Sequence, residues 1–201
     1  GASAADRAIW KESSKKPHLI GYNTLSSHQP WDVPIQELDD PVENAFRYLD
    51  HCIGHFVAEL RKMPQWDNLL LIFIPDHGVN YGGLDETTAL KMHIPVLWVG
   101  GVIREPRVVD IVCNQSDQAA TLLGQLGIGH GDFTFSRDVL SANYTQSFAY
   151  HTFNNGFSVV DSTRFVVYDL TSDRPLVGDD ADLIRRGKVI LQVSSDDLYQ
   201  R

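Results

Sequence analysis

The chain has 201 residues, 43% hydrophobic and 21% charged, with a formal net charge of −9. These are globular proportions, and a chain this long buries a core without staples. The acidic balance speaks against nucleic acid as a partner, because such a surface needs clustered Lys and Arg, and the longest basic runs are Lys15-Lys16 and Arg185-Arg186.

No apolar run approaches the roughly 18 residues of a membrane helix. The opening "GASAADRAIW" lacks the basic region and apolar core of a signal peptide. Residues 1–16 read as a helix remnant or the edge of a trimmed chain. Residues 17–145 read as an α/β region, and residues 146–201 as antiparallel strands and a terminal helix of the same domain.

Residues 19–25 predict a short strand that runs into a polar loop holding His28, Pro30 and Pro34. A helix follows: Asp40 suits the N-cap, Pro41 the first helical position and Glu43 a capping box. Its apolar residues recur at Val42, Ala45, Phe46, Leu49, Cys52, Ile53, Phe56, Val57 and Leu60, and Pro64 ends it. "LLLIFI" (69–74) and "IPVLWVGG" (94–101) are continuous apolar runs, which predict strands covered on both faces, as in a parallel sheet. Beyond the second run, Ser116 predicts the cap of a helix through "DQAATLLGQLG", closed by Gly127. This rhythm predicts an α/β fold, mainly a parallel sheet flanked by helices. "SFAYHTF", "FSVVDS" and "RFVVYDL" then predict a small antiparallel meander, with Asn154-Asn155-Gly156 as a tight turn. A final helix is predicted from 180 to about 199.

Eight histidines make metal chemistry worth testing. His51 and His55 have metal-helix spacing, but at about 100° per residue they lie roughly 130° to 170° from the apolar stripe, which predicts a solvated face. Asp76-His77-Gly78 follows a predicted buried strand, and ligands bind at the carboxyl ends of strands in open α/β sheets. A carboxylate beside an imidazole suits zinc or manganese ahead of calcium or magnesium. From spacing alone the triplet reads equally as a polar strand-end turn. His28 also follows a predicted strand; it reads either as a contact for an anionic ester or as a loop histidine bonded to backbone. His93 lies at the start of its strand, the wrong end, although the long loop before it could bring Lys91 or His93 over the site. Cys52 and Cys113 read as small buried residues, with a disulfide between them left open.

The ordered segments "TLSSHQPWDVP", "DPVENAFRYLDHCIGHF", "WDNLLLIFIPDHG", "HIPVLWVGG", "NQSDQAATLLGQLGI" and "FSRDVLS" resemble the alkaline phosphatase superfamily. The resemblance is to its sulfatase-like branch, which includes lipoteichoic acid synthases and phosphoglycerol transferases. Phosphoethanolamine transferases share the Ser-His-x-Pro and Asp-His-Gly features. The resemblance implies that Asp76 and His77 bind the catalytic divalent metal and that His28 contacts the substrate's phosphate or head group. It implies an anionic phosphate or sulfate ester as substrate, lipid- or glycan-linked esters included, and an extracytoplasmic setting with a membrane-anchored parent protein. The family's threonine or formylglycine nucleophile matches no position here. The expectation is therefore the C-terminal part of a longer enzyme, inactive alone; the alternative is a non-catalytic binding or sensing module that keeps the fold without the nucleophile.

Overall fold

The computed structural model describes residues 17–201, so the predicted remnant at 1–16 lies outside the described residues. Three helices are described: α1 (Pro41–Leu60), α2 (Asp117–Gln125) and α3 (Ala181–Gln200). Strands β1 (Leu71–Phe73) and β2 (Leu97–Val99) pair as a two-stranded sheet; β3 (Phe148–Phe153), β4 (Gly156–Asp161), β5 (Phe165–Asp169) and β6 (Arg174–Val177) form a second sheet in chain order. The chain divides into two units, one holding described residues up to 72 with 98–105, the other residues 73–97 with 106–201.

In the first unit, α1 begins as its sequence predicts. The Asp40 carboxylate accepts hydrogen bonds from the Val42 and Glu43 amides at 2.8 and 3.1 Å, replacing partners that the first turn lacks. Asn44 is buried and ties the incoming loop to the helix: its side chain accepts from the Glu37 and Leu38 amides and donates to the Leu38 carbonyl. His51 and His55 are exposed, as the helical wheel requires. The predicted strand at 19–25 is not formed. Leu19 and Leu25 are 90% and 80% exposed, and an apolar run without a partner strand has no ladder to complete.

The two continuous apolar runs yield only three-residue strands, and their residues are half-buried rather than covered on both faces; Leu97 is exposed. The short 3-10 turn Pro64–Asn68 leads into the first run.

The second unit holds the main core. Phe157, Val159, Val166, Tyr168 and Leu183 are buried together, with Phe148, Tyr150, Ile184 and Leu191 packed against them. The alternation in β4 and β5 sends one face of the sheet against α3. The β3–β4 register sets Phe153 opposite Gly156, so Asn154-Asn155 is the predicted tight turn, with Asn155 at φ 62. The fourth strand, β6, is an addition to the predicted meander; it pairs with β5 through an irregular register at Val167/Tyr168.

Helix α2 ends in a Schellman motif. The Ile128 amide donates to the Leu123 carbonyl, the Gly127 amide to the Gly124 carbonyl, and Gly127 has φ 66. Helix α3 starts where expected: the Asp180 side chain accepts from the Leu183 amide. Arg164 then bridges Asp161 and Asp180, linking the β4–β5 turn to that cap. Cys52 and Cys113 are free thiols. Among the described residues no helix is long and apolar enough to cross a membrane.

Candidate metal centre

Residues 75–78 follow β1 as a polar turn. The His77 amide donates to Asp76 Oδ1 at 3.0 Å, holding the carboxylate beside its own backbone. His77 Nδ1 lies 2.8 Å from the Gly78 carbonyl oxygen. A carbonyl only accepts, so in the neutral ring Nδ1 carries the proton and Nε2 keeps its lone pair. That Nε2 is 3.6 Å from Asp76 Oδ2. An imidazole nitrogen and a carboxylate oxygen are thus close neighbours, on side chains that are 67% and 89% exposed. The donor set and the committed tautomer fit a divalent ion, since metal-binding histidines usually donate their other ring nitrogen to a carbonyl or carboxylate. Among the described residues no third His, Cys, Asp or Glu completes a cluster with them.

Gly78 is required here by close approach. A Cβ built on it would lie 1.9 Å from the Lys91 carbonyl oxygen, so the turn lies directly against the 3-10 turn Ala89–Met92. His93 follows that turn, exposed, with its amide donating to the Leu90 carbonyl. Lys91 does not reach for an anion. Its ammonium pairs with Glu86, and only 11% of the side chain is exposed. The other Glu86 carboxylate oxygen is buried, makes no hydrogen bond, and lies 3.3 Å from His151 Nε2 on β3. His151, which carries no recognisable spacing in the sequence, is therefore the far end of a Lys91–Glu86–His151 chain of polar contacts. Asp85 organises the start of this loop: the Thr87 hydroxyl and amide both donate to it and hold its carboxyl below the usual range.

The other side of the turn is held by the segment ahead of α2. Gln115 Nε2 donates to the Pro75 carbonyl at 2.6 Å and to the Asp76 carbonyl at 3.1 Å. That segment is anchored by Asp117, which is fully buried. Its carboxylate accepts from the Asn114 amide, from the Arg137 amide and from the Arg137 guanidinium, the last at 2.7 Å. Arg137 also donates to the Gln146 and Phe148 carbonyls and lies 4.2 Å over the Phe148 ring. Asn114 accepts from the Tyr150 amide on β3. The predicted Ser116 cap bond is absent. Ser116 already has helical φ and ψ, and its hydroxyl donates to the Phe135 carbonyl instead. Burial and the Asp117 charge raise the nearby Cys113 thiol, which keeps it protonated and unreactive.

In the first unit, His28 is exposed in the turn after residue 25. Its Nδ1 lies 2.8 Å from the Gln29 carbonyl, the same commitment to the following residue that His77 makes. The backbone-bonded loop histidine foreseen for this position is thus present, and its Nε2 is left for another partner.

The sulfatase family profile matches residues 3–128, more than half of the chain. The chain is 24% identical to a lipoteichoic acid synthase-like protein, YvgJ, of Bacillus subtilis, covering 96% of this chain and 37% of that protein. It is 25% identical to the lipoteichoic acid synthase of Staphylococcus saprophyticus, covering 95% of this chain and 35% of that protein. A crystal structure of a protein in the alkaline phosphatase superfamily from Vibrio parahaemolyticus superimposes with a TM-score of 0.66 at 27% identity, covering 82% of this chain and 45% of that one. The chain thus spans just over a third of the length of these curated relatives. It belongs to the sulfatase family and carries part of the α/β fold of the alkaline phosphatase superfamily.

Proposed function

We propose that this chain is the metal-binding C-terminal part of a sulfatase-like enzyme that hydrolyses or transfers a phosphate or sulfate ester group. The observation that carries the reading is the Asp76–His77 pair: Nε2 and Oδ2 stand 3.6 Å apart while Nδ1 is committed to the Gly78 carbonyl. Asp76 and His77 would hold one divalent ion, manganese or zinc ahead of calcium or magnesium, with the remaining ligands supplied from outside the described residues. When bound, such an ion lowers the pKa of a hydroxyl nucleophile and offsets negative charge on the ester. Asp76 contributes a carboxylate held by the His77 amide, and His77 a ring whose Nδ1 is turned to the Gly78 carbonyl. His28 would contact the anionic ester or its head group, and His93 would do so from the end of the turn that lies against Gly78. Residues 17–145 and 146–201 would belong to one sulfatase-like domain.

The nucleophile would lie upstream of this chain, which would be inactive alone, and the parent protein would be membrane-anchored with this region on the extracytoplasmic side. A lipid- or glycan-linked ester fits that setting. The test is turnover of an aryl phosphate and an aryl sulfate by the longer protein that contains this chain, with Mn2+ or Zn2+ supplied. Turnover of one ester, lost in Asp76→Ala with His77→Ala, supports the reading. Turnover of neither, with the ion still bound, favours a binding or sensing module.

A further inference from the structure

We infer that Gln115 is a positioning residue for the Asp76–His77 pair, a role that rests on the metal-centre reading above. Its Nε2 donates to two successive carbonyls, those of Pro75 and Asp76, at 2.6 and 3.1 Å. Fixing two neighbouring carbonyls fixes the peptide planes on both sides of Asp76. That sets the backbone dihedrals of Asp76, and so the direction in which its carboxylate leaves the chain. His77 begins at the second of those planes, so its ring direction follows. The two side chains themselves are largely exposed, and no packing aims them.

The clamp is firm because its base is firm. Gln115 lies between Asn114, whose side chain accepts from the β3 amide of Tyr150, and Asp117, which is fully buried against Arg137. Gln115 is thus held on a segment fastened to the main sheet and to α2, while its amide reaches a turn about forty positions away. On the opposite side of the turn Gly78 lies against the Lys91 carbonyl. The turn is thus held at its start by the Gln115 side chain and at its end by the Lys91 backbone.

The chemistry of the clamp singles out one variant. Gln115→Glu keeps length and shape but replaces the donor with an oxygen that faces two carbonyls. A space-filling role predicts no effect; a donor role predicts loss. The added negative charge lies just before the N-terminus of α2, where it favours the helix, so overall stability should hold.

The experiment is hydrogen exchange by mass spectrometry on the longer protein that contains this chain, paired with Mn2+ titration read from the free-ion resonance. In Gln115→Glu and Gln115→Ala, peptides covering 73–80 should exchange on the order of tenfold faster, as expected for two lost hydrogen bonds. Peptides covering 117–125 should be unchanged. Mn2+ affinity should weaken on the order of tenfold in the same variants. Unchanged exchange at 73–80 in Gln115→Glu overturns the clamp. Faster exchange with unaltered Mn2+ affinity, in a chain whose affinity does depend on Asp76 and His77, overturns the positioning role. If Asp76→Ala with His77→Ala leaves Mn2+ affinity unaltered, the metal reading itself fails, and the exchange arm still decides whether Gln115 orders the turn.

Discussion

At Gly78 a single added methyl group would lie 1.9 Å from the Lys91 carbonyl oxygen. Backbone cannot give way as a side-chain tip can, so Gly78→Ala should cost about 1–3 kcal/mol in urea unfolding. It should also shift the Asp76–His77 turn and weaken Mn2+ binding; an unchanged midpoint would show that the two turns are not packed as described. The turn at Asp76 and His77 was legible in the sequence because a polar Pro-Asp-His-Gly follows directly on an apolar run. The same stretch concealed the reason for its glycine, which is the approach of the Lys91 carbonyl. Gln115 was not legible at all. Its partners are carbonyls of Pro75 and Asp76, and nothing local in "CNQSDQ" marks a side chain that reaches across the fold. His151 was equally silent, since a contact with Glu86 across the fold leaves no spacing to read.

Among the elements, α3 packs on β4 and closes the core of the second unit. A Cβ on Gly187 would fall 2.0 Å from the Phe157 ring, whose side chain is fully buried. In an exposed helix Gly→Ala gains about 1 kcal/mol of propensity. Here Gly187→Ala should instead lose about 1–3 kcal/mol by overpacking, and the sign of the change in thermal midpoint distinguishes the two. The β4–β5 turn supplies a second test. Burial alone would raise the Asp161 carboxyl, but the Thr163 and Arg164 amides and the Arg164 guanidinium outweigh it and hold it at about 2, below its ordinary 3.8. A depressed pKa stabilises the fold above the ordinary value and ceases to do so as pH falls through the folded one. Asp161→Asn should therefore be less stable than the parent by on the order of 2 kcal/mol near pH 6, with the gap closing between about pH 4 and pH 2 in urea titrations. A gap that persists at pH 2 would contradict this.

Capped helices were the most readable elements, because Asp40-Pro41 and Asp180 carry their end signals locally. The strands were less so. "LLLIFI" and "IPVLWVGG" predict longer strands than the three residues each that form, since an apolar run states only that burial is available. Residues 19–25 form none, and β6 was missed because Arg174-Pro175 suppresses the strand pattern at the sheet's last position.

For the molecule as a whole, family membership and fold rest on the sulfatase profile and on the superimposed alkaline phosphatase superfamily structure. The ordered segments from "TLSSHQP" to "FSRDVLS" carried that resemblance, and the structure gives two of them a physical link: Asp117 of one is buried against Arg137 of another. The proposed chemistry needs more chain than this one, which spans just over a third of its curated relatives. It assigns this portion one task, to present Asp76 and His77 as a pair of metal ligands. The most direct test is metal content of the longer protein after exchange into Mn2+ or Zn2+ and removal of free ion. The account predicts one divalent ion per chain in the parent protein and essentially none in Asp76→Ala with His77→Ala, with the fold intact by circular dichroism. Unchanged occupancy in the double variant would contradict it.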